Sequence, residues 1–189
     1  MHAHAEGFRR AAALPYRLRN AVRPIGKTSG VSLDDWILAL HLLSAFAYVG
    51  AIILFWVIIV AVWRLDAPDP TIRLGPVARL GTVAVGIGGA GTLIFGIWLA
   101  LSVADYDLWD GWIIAAIVLW AIAGALGQRT GVEYARGVTK AIELRDAGRA
   151  GPDAELLALN RTQRGLVLHS LVTVTVLLIL VDMIWKPGT

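Results

Sequence analysis

The sequence predicts an all-α, polytopic membrane protein: a bundle of four transmembrane helices, with a cytoplasmic helical extension between the third and fourth helices. Hydrophobic residues make up 57% of the 189 residues and charged residues only 16%, whereas soluble domains contain about 45–50% and about 25%. The apolar residues fall into four runs, each close to the roughly 20 residues that a helix needs to cross a bilayer. The chain has no cysteine, which excludes disulfides, thiolate metal sites and cysteine nucleophiles.

Four spans are predicted within a transmembrane domain that covers residues 31–189. They are residues 36–63, 80–103, 111–128 and 165–185. The first two contain no charged residue, and the fourth carries two ionisable residues, His169 and Asp182. Because lipid offers no water to pair with backbone polar groups, each run is predicted to be a helix.

The third helix is predicted to continue beyond the membrane. From Gln128 to Ala147, charged residues alternate with apolar ones, which is the pattern of a helix with one face in water. Gly148 and Pro152 are then predicted to end the helix. Asp153 is predicted to cap a further helix that leads into the fourth span.

Residues 1–30 form a basic tail. Its cations are Arg9, Arg10, Arg17, Arg19, Arg23 and Lys27. The tail has no apolar stretch of the length that a signal peptide requires. We expect it to contact anionic lipid headgroups; a disordered basic leader is the alternative, and nucleic-acid binding is not expected.

The loops predict the orientation in a bacterial inner membrane. The second loop carries Asp105, Asp107 and Asp110 and no lysine or arginine. The third loop is strongly basic, with Arg129, Arg136, Lys140, Arg145, Arg149, Arg161 and Arg164. The positive-inside rule therefore places the first and third loops in the cytoplasm and both termini in the periplasm.

Polar residues within the spans are candidate functional residues, because polar groups in a bilayer are costly and usually face the bundle interior or a cavity. His41 lies about 10 Å below the outer surface, counted from Asp34 at 1.5 Å per residue, and Tyr48 shares its helical face. Asp182 lies about 6 Å from the same surface. A His41–Asp182 pair, or a haem or copper site that includes His41, is therefore predicted. The alternative is structural: His41 bonds a neighbouring helix, and Asp182 reaches water or Lys186.

His169 is a weaker candidate for an iron ligand. It lies about 8 Å from the opposite surface and differs from His41 in depth by roughly 12 Å. Two axial ligands of one haem iron need nearly the same depth, so a bis-histidine haem is not expected.

Glycines in the second span predict close helix packing. Gly86, Gly88 and Gly91 match the spacing of a dinucleotide fingerprint, but that motif requires a strand turning into a helix. The glycines that recur at about seven residues are Gly81, Gly88, Gly89 and Gly96. Small residues at such positions let a neighbouring backbone approach in membrane bundles.

Two sequence stretches resemble known bacterial membrane families. The stretch Leu40-His41-Leu42-Leu43-Ser44-Ala45, followed by Tyr48-Val49-Gly50, resembles the first-helix motif of CopD-type copper-resistance proteins and of HemJ-type protoporphyrinogen oxidase. The ending Val181-Asp182-Met183-Ile184-Trp185-Lys186-Pro187-Gly188 resembles that of an uncharacterised family of four-helix predicted integral membrane proteins. The resemblance to that family covers residues 33–188 of the chain.

The HemJ-type resemblance implies a haem b held by His41. The oxidase also relies on a lysine in a later helix, and no lysine occurs in the second or third span, so its activity is not carried over. The CopD-type resemblance implies copper passage, but clustered histidines and methionines are absent.

The sequence therefore predicts a haem-binding redox or haem-handling membrane protein that uses His41, with Tyr48 and Asp182 nearby. The alternatives are an accessory or structural subunit of a larger membrane complex, and a copper or ion permease. Expected partners are membrane lipids, other membrane subunits or further copies of this chain.

Overall fold

A computed structural model describes residues 31–102 and 106–187. The basic tail predicted over residues 1–30 lies outside this part. The described residues form helices and no strands. The helices are α1 (Leu33–Val62), α2 (Pro68–Arg73), α3 (Gly75–Ser102), α4 (Gly111–Asp146), α5 (Ala154–Asn160) and α6 (Gln163–Trp185).

Four of these helices, α1, α3, α4 and α6, carry the predicted spans and are long and apolar enough to cross a membrane. The predicted all-α fold with four spanning helices is therefore confirmed, and the chain fits a multi-pass membrane protein. The second spanning helix, α3, begins earlier than predicted, at Gly75 rather than near residue 80. The short helix α2 was not predicted.

The extension of the third helix is confirmed, since α4 continues to Asp146. Gly148 ends it with a φ of 72°, a left-handed conformation that glycine adopts without a steric cost. The amide of Arg149 then donates to the carbonyl of Leu144 at 2.9 Å. Asp153 caps α5 as predicted, because its side chain accepts from the Leu156 amide at 2.9 Å.

The bundle consists of two helical pairs. Helix α1 packs along α3, and α4 packs along α6. The two pairs meet in an apolar core. The buried members of this core are Tyr48, Ile52, Ala123, Val172 and Val176.

A small helical cap covers one end of the bundle. We use "cap" for α2, residues 129–146 of α4, and α5. Asn160 joins its parts: the side-chain amide donates to the Leu65 carbonyl at 2.9 Å and to the Thr71 hydroxyl at 3.3 Å. Leu156 and Ala141 are fully buried in its small apolar core. The cap thus ties the connection between α1 and α3 to the connection between α4 and α6.

Candidate functional site

His41 is fixed between α1 and α3. Its Nδ1 lies 3.0 Å from the carbonyl oxygen of Thr92. A carbonyl oxygen only accepts hydrogen bonds, so Nδ1 must carry the proton that is donated. In the neutral ring, Nε2 then holds a free lone pair. The fold thus selects one tautomer of His41 and sets the direction of its ring.

Glycine makes room for this ring. A Cβ atom placed on Gly96 would lie 3.0 Å from Cε1 of His41 and 3.3 Å from its Nδ1. Both distances are shorter than ordinary contacts between such atoms. The absence of a side chain at Gly96 therefore allows the imidazole to lie against α3.

The same side of α3 admits the α1 backbone further along. A Cβ atom on Gly88 would lie 2.6 Å from the Tyr48 amide nitrogen and 2.9 Å from the Ser44 carbonyl oxygen. One on Gly81 would meet the Phe55 ring at 3.1 Å. The prediction that these glycines admit a neighbouring backbone is confirmed at Gly88, where the contact is to backbone atoms.

Tyr48 lies in the packing core. Its side chain is buried among residues of both helical pairs, and its ring faces Gly89 of α3. It is seven residues, or about 10 Å along the helix, from His41. Tyr48 therefore joins the two helical pairs and is two turns away from the imidazole.

Asp182 does not pair with His41. Within the described residues no hydrogen bond or ion pair joins them, and Thr92 is the hydrogen-bond partner of His41 instead. The Oδ2 atom of Asp182 is buried without a hydrogen-bond partner. The predicted pair was inferred from depth alone, and depth does not specify which way a side chain points around its helix.

A polar cluster that was not predicted from the sequence surrounds the last turn of α6. Lys186 donates a hydrogen bond to the Tyr106 hydroxyl and lies 5.4 Å from the centre of the Trp112 ring. The Trp112 indole N–H is buried without an acceptor. Met183 packs against the buried cluster of Ala100, Trp112 and Ile113, and Ala100 lies one turn beyond Gly96 on α3. This cluster is therefore about one helical turn from the level of His41.

His169 lies deep in the other half of the bundle, with 3% of its surface exposed. Its ring packs edge-on against Trp56, with centroids 4.9 Å apart, and against Phe55 at 6.3 Å. The Trp56 indole donates to the Thr173 hydroxyl at 2.9 Å, and Nε2 of His169 has no hydrogen-bond partner in the described part. The surrounding rings leave this nitrogen in an apolar environment.

The two histidines contact α1 at different levels. His41 lies on α1 itself, whereas His169 contacts residues 55 and 56, fourteen and fifteen positions later in the same helix. At 1.5 Å per residue this is a separation of about 20 Å, larger than the roughly 12 Å expected from the sequence. One iron between them is therefore excluded by distance.

The residues fit a haem in part. The oriented imidazole of His41 fits an iron ligand, because ligating histidines commonly donate their other ring nitrogen to a backbone carbonyl. The nearby Lys186 fits a carboxylate of such a ring, whereas the unpaired Trp112 N–H is buried in the interior. The cavity lined by Tyr48, Thr92 and Trp120, however, is only about 30 Å³, so it cannot hold one. A bound haem would have to lie on the outer side of the half-buried His41 ring.

Residues 31–102 and 106–187 contain no group of three or more histidine or carboxylate side chains placed to hold a metal ion. Comparison of the chain with protein-family models, curated proteins and solved structures gives no match.

Proposed function

We propose that this is an inner-membrane haem protein with a redox or haem-handling role, in which His41 is the iron ligand and both termini are periplasmic. One observation carries the proposal. Nδ1 of His41 donates a hydrogen bond to the backbone carbonyl of Thr92, which leaves Nε2 as the ring's metal-binding atom and holds it in one direction.

The residues near the end of α6 complete the proposed site. Lys186 would bind a carboxylate of the haem, and Met183 packs against the neighbouring cluster of Ala100, Trp112 and Ile113. A bound haem would supply one-electron chemistry through its iron. The chain's own contribution is to orient the imidazole, and Gly96 is a positioning residue because it gives the ring its place against α3.

The experiment is the visible absorbance of the full chain, purified in detergent and titrated with haem. His41→Ala should lose the Soret band, whereas His169→Ala should retain it. Circular dichroism must show equal helical content in the two variants, so that a loss of haem is not a loss of fold. A Soret band that survives in His41→Ala, or falls equally in both variants, would refute the assignment.

A second variant tests the orientation itself. Gly96→Ala places a methyl group 3.0 Å from Cε1 of His41, so the ring must move and haem affinity should fall. Gly86→Ala on the same helix meets nothing within 4 Å and should bind haem as the unaltered chain does. Equal affinities would show that the position of the ring against α3 does not matter.

An accessory subunit without a cofactor is the second candidate. The small size of the cavity beside Tyr48 and Thr92 favours it, as does the hydrogen bond that already gives His41 a structural use. In this case the purified chain should stay colourless under haem titration, and His41→Ala should reduce stability without changing any spectrum.

A further inference from the structure

Arginines gather around the buried side chain of Glu133 at the cap end of the bundle. This side chain is only 10% exposed. Its Oε2 accepts a hydrogen bond from Nη1 of Arg136 at 3.2 Å, and its Oε1 lies 3.5 Å from Nε of Arg164. Arg136 belongs to α4 and Arg164 to the first turn of α6. One buried carboxylate therefore holds cations from two spanning helices side by side.

The outer nitrogens of these arginines are left for another partner. Arg164 contacts Glu133 through Nε, and Arg161 donates from Nε to the Trp63 carbonyl at 3.0 Å. Within the described ranges, the terminal nitrogens of both side chains have no hydrogen bond or ion pair, and both residues are exposed. Arg129, one turn before Glu133, is also exposed. Guanidinium groups with open terminal nitrogens match the oxygens of a phosphate.

These arginines lie where the membrane ends. We use "arginine cluster" for Arg129, Arg136, Arg161 and Arg164. Arg129 follows the third predicted span, which ends at residue 128, and Arg164 precedes the fourth, which begins at residue 165. Lipid phosphates lie just outside the hydrocarbon core, and basic pockets between spanning helices bind anionic headgroups there. The arginine cluster is therefore at the depth of these phosphates.

Beyond the arginine cluster, α4 and α6 each present a line of exposed aliphatic side chains to the membrane. The two lines continue the faces that carry Arg129 and Arg164, because side chains three, four, seven or eleven residues apart lie on one side of a helix. The exposed members are Val118 and Ile122 on α4, and Val167, Leu171 and Val174 on α6. Since α4 packs along α6, the pair offers positive charge at headgroup depth and apolar surface at the depth of acyl chains.

We propose that an anionic phospholipid binds the outer side of the α4–α6 pair. Its phosphate lies among Arg129, Arg161 and Arg164, and its acyl chains follow the two aliphatic lines. A zwitterionic lipid is disfavoured because the arginines repel its own cation, and a free phosphate has nothing to place on the aliphatic lines. Glu133 is a positioning residue, since it holds two of the guanidinium groups. The proposal does not depend on haem binding.

The test is thermal unfolding of the full chain in mild detergent with added lipid, followed by circular dichroism. Dioleoyl phosphatidylglycerol should raise the midpoint in a saturable way. Dioleoyl phosphatidylcholine has the same acyl chains and no net charge, so it should not. Inorganic phosphate at the same concentration should leave the midpoint unchanged. An equal rise with phosphatidylcholine or with inorganic phosphate would overturn the proposal.

The first variant removes one cation without breaking an internal contact. Arg129→Gln should weaken phosphatidylglycerol binding by about fivefold, the factor expected for one arginine near a membrane surface. Arg145→Gln is the matched control, since it makes the same charge change on the same helix about 24 Å further from the membrane. It should bind the lipid as the unaltered chain does. Equal affinities of the two variants would contradict the proposed site.

The second variant separates a positioned site from general attraction between charges. Glu133→Gln makes the chain more positive but releases Arg136 and Arg164, so phosphatidylglycerol should bind more weakly. Circular dichroism must show unchanged helical content, and Arg129→Gln keeps the test decisive where Glu133→Gln fails to fold. Tighter lipid binding by Glu133→Gln, or a protein subunit that occupies these positions in place of lipid, would overturn the proposal.

Discussion

The close approach of α1 and α3 gives the sharpest quantitative prediction, which concerns Gly88→Ala. The added methyl group would lie 2.6 Å from the Tyr48 amide nitrogen, 2.9 Å from the Ser44 carbonyl oxygen and 3.0 Å from the Tyr48 Cα. All three are backbone atoms, so no side-chain rotation relieves the contact. Restoring a separation of about 3.5 Å requires the two helices to move apart by about 1 Å.

The expected cost follows from two opposing effects. Overpacking of a well-packed interface destabilises by about 1–3 kcal/mol, and here the displacement is shared by the whole α1–α3 pair. Alanine itself favours a helix over glycine by about 1 kcal/mol. We therefore expect a net loss of up to about 2 kcal/mol for Gly88→Ala.

Two neighbouring glycines in the same helix provide the controls. A Cβ atom on Gly86 meets nothing within 4 Å, and one on Gly89 meets Tyr48 Cε2 at an ordinary 3.5 Å. Gly86→Ala and Gly89→Ala should therefore be neutral or slightly stabilising. Reversible unfolding in mixed detergent micelles, followed by circular dichroism, measures all three. A Gly88→Ala protein as stable as Gly86→Ala would refute the packing argument.

Three further predictions concern the cap and the orientation. Asn160→Ala should cost about 1–3 kcal/mol, because the Leu65 carbonyl and Thr71 hydroxyl lose a buried donor; amide exchange of α5 measures the loss, and unchanged exchange would contradict it. The amide of Leu156 donates to Asp153 and holds the pKa of that carboxyl below its usual 3.8, with Arg149 contributing. The resulting stability is therefore present above pH 3.8 and lost as the pH falls through the lower folded pKa. An Asp153→Asn variant should lack this acid limb in a thermal unfolding series, and an identical pH profile would contradict the reasoning. A reporter fused at Thr189 should be active in the periplasm; cytoplasmic activity would reverse the predicted orientation.

The sequence predicted which segments cross the membrane and that α4 continues into the cap. The length of an apolar run, the residues that break a helix and those that begin one are all local properties of the chain. Gly148 ends α4 because glycine adopts a positive φ without a steric cost, and Asp153 begins α5 because its side chain accepts a hydrogen bond from an amide of the first turn. The short helix α2 escaped prediction, since six residues give too little periodicity to detect. Its position depends on Asn160, which lies 89 residues after Thr71 in the chain.

The candidate site was harder to predict because depth specifies a level in the membrane and leaves the rotation of each helix open. His41 and Asp182 have similar predicted depths, yet the imidazole points to Thr92 on α3. The orphaned Trp112 N–H was also missed, since an apolar run gives no sign of which indole lies in the interior. Helix rotation depends on packing between distant segments, and a single sequence shows this only through residues such as glycine.

The glycines of α3 and the orientation of His41 are consequences of one arrangement. The contacts of Gly88 with α1 bring the two backbones close enough for an imidazole on one helix to reach a carbonyl on the other. Because the two helices lie so close together, a side chain at position 96 would collide with the His41 ring, so glycine is needed there. If Gly88→Ala separates the helices by about 1 Å, the 3.0 Å bond from His41 to Thr92 should lengthen beyond the normal range. Gly88→Ala should therefore impair any property that depends on the orientation of the imidazole, even though it lies two turns away from it.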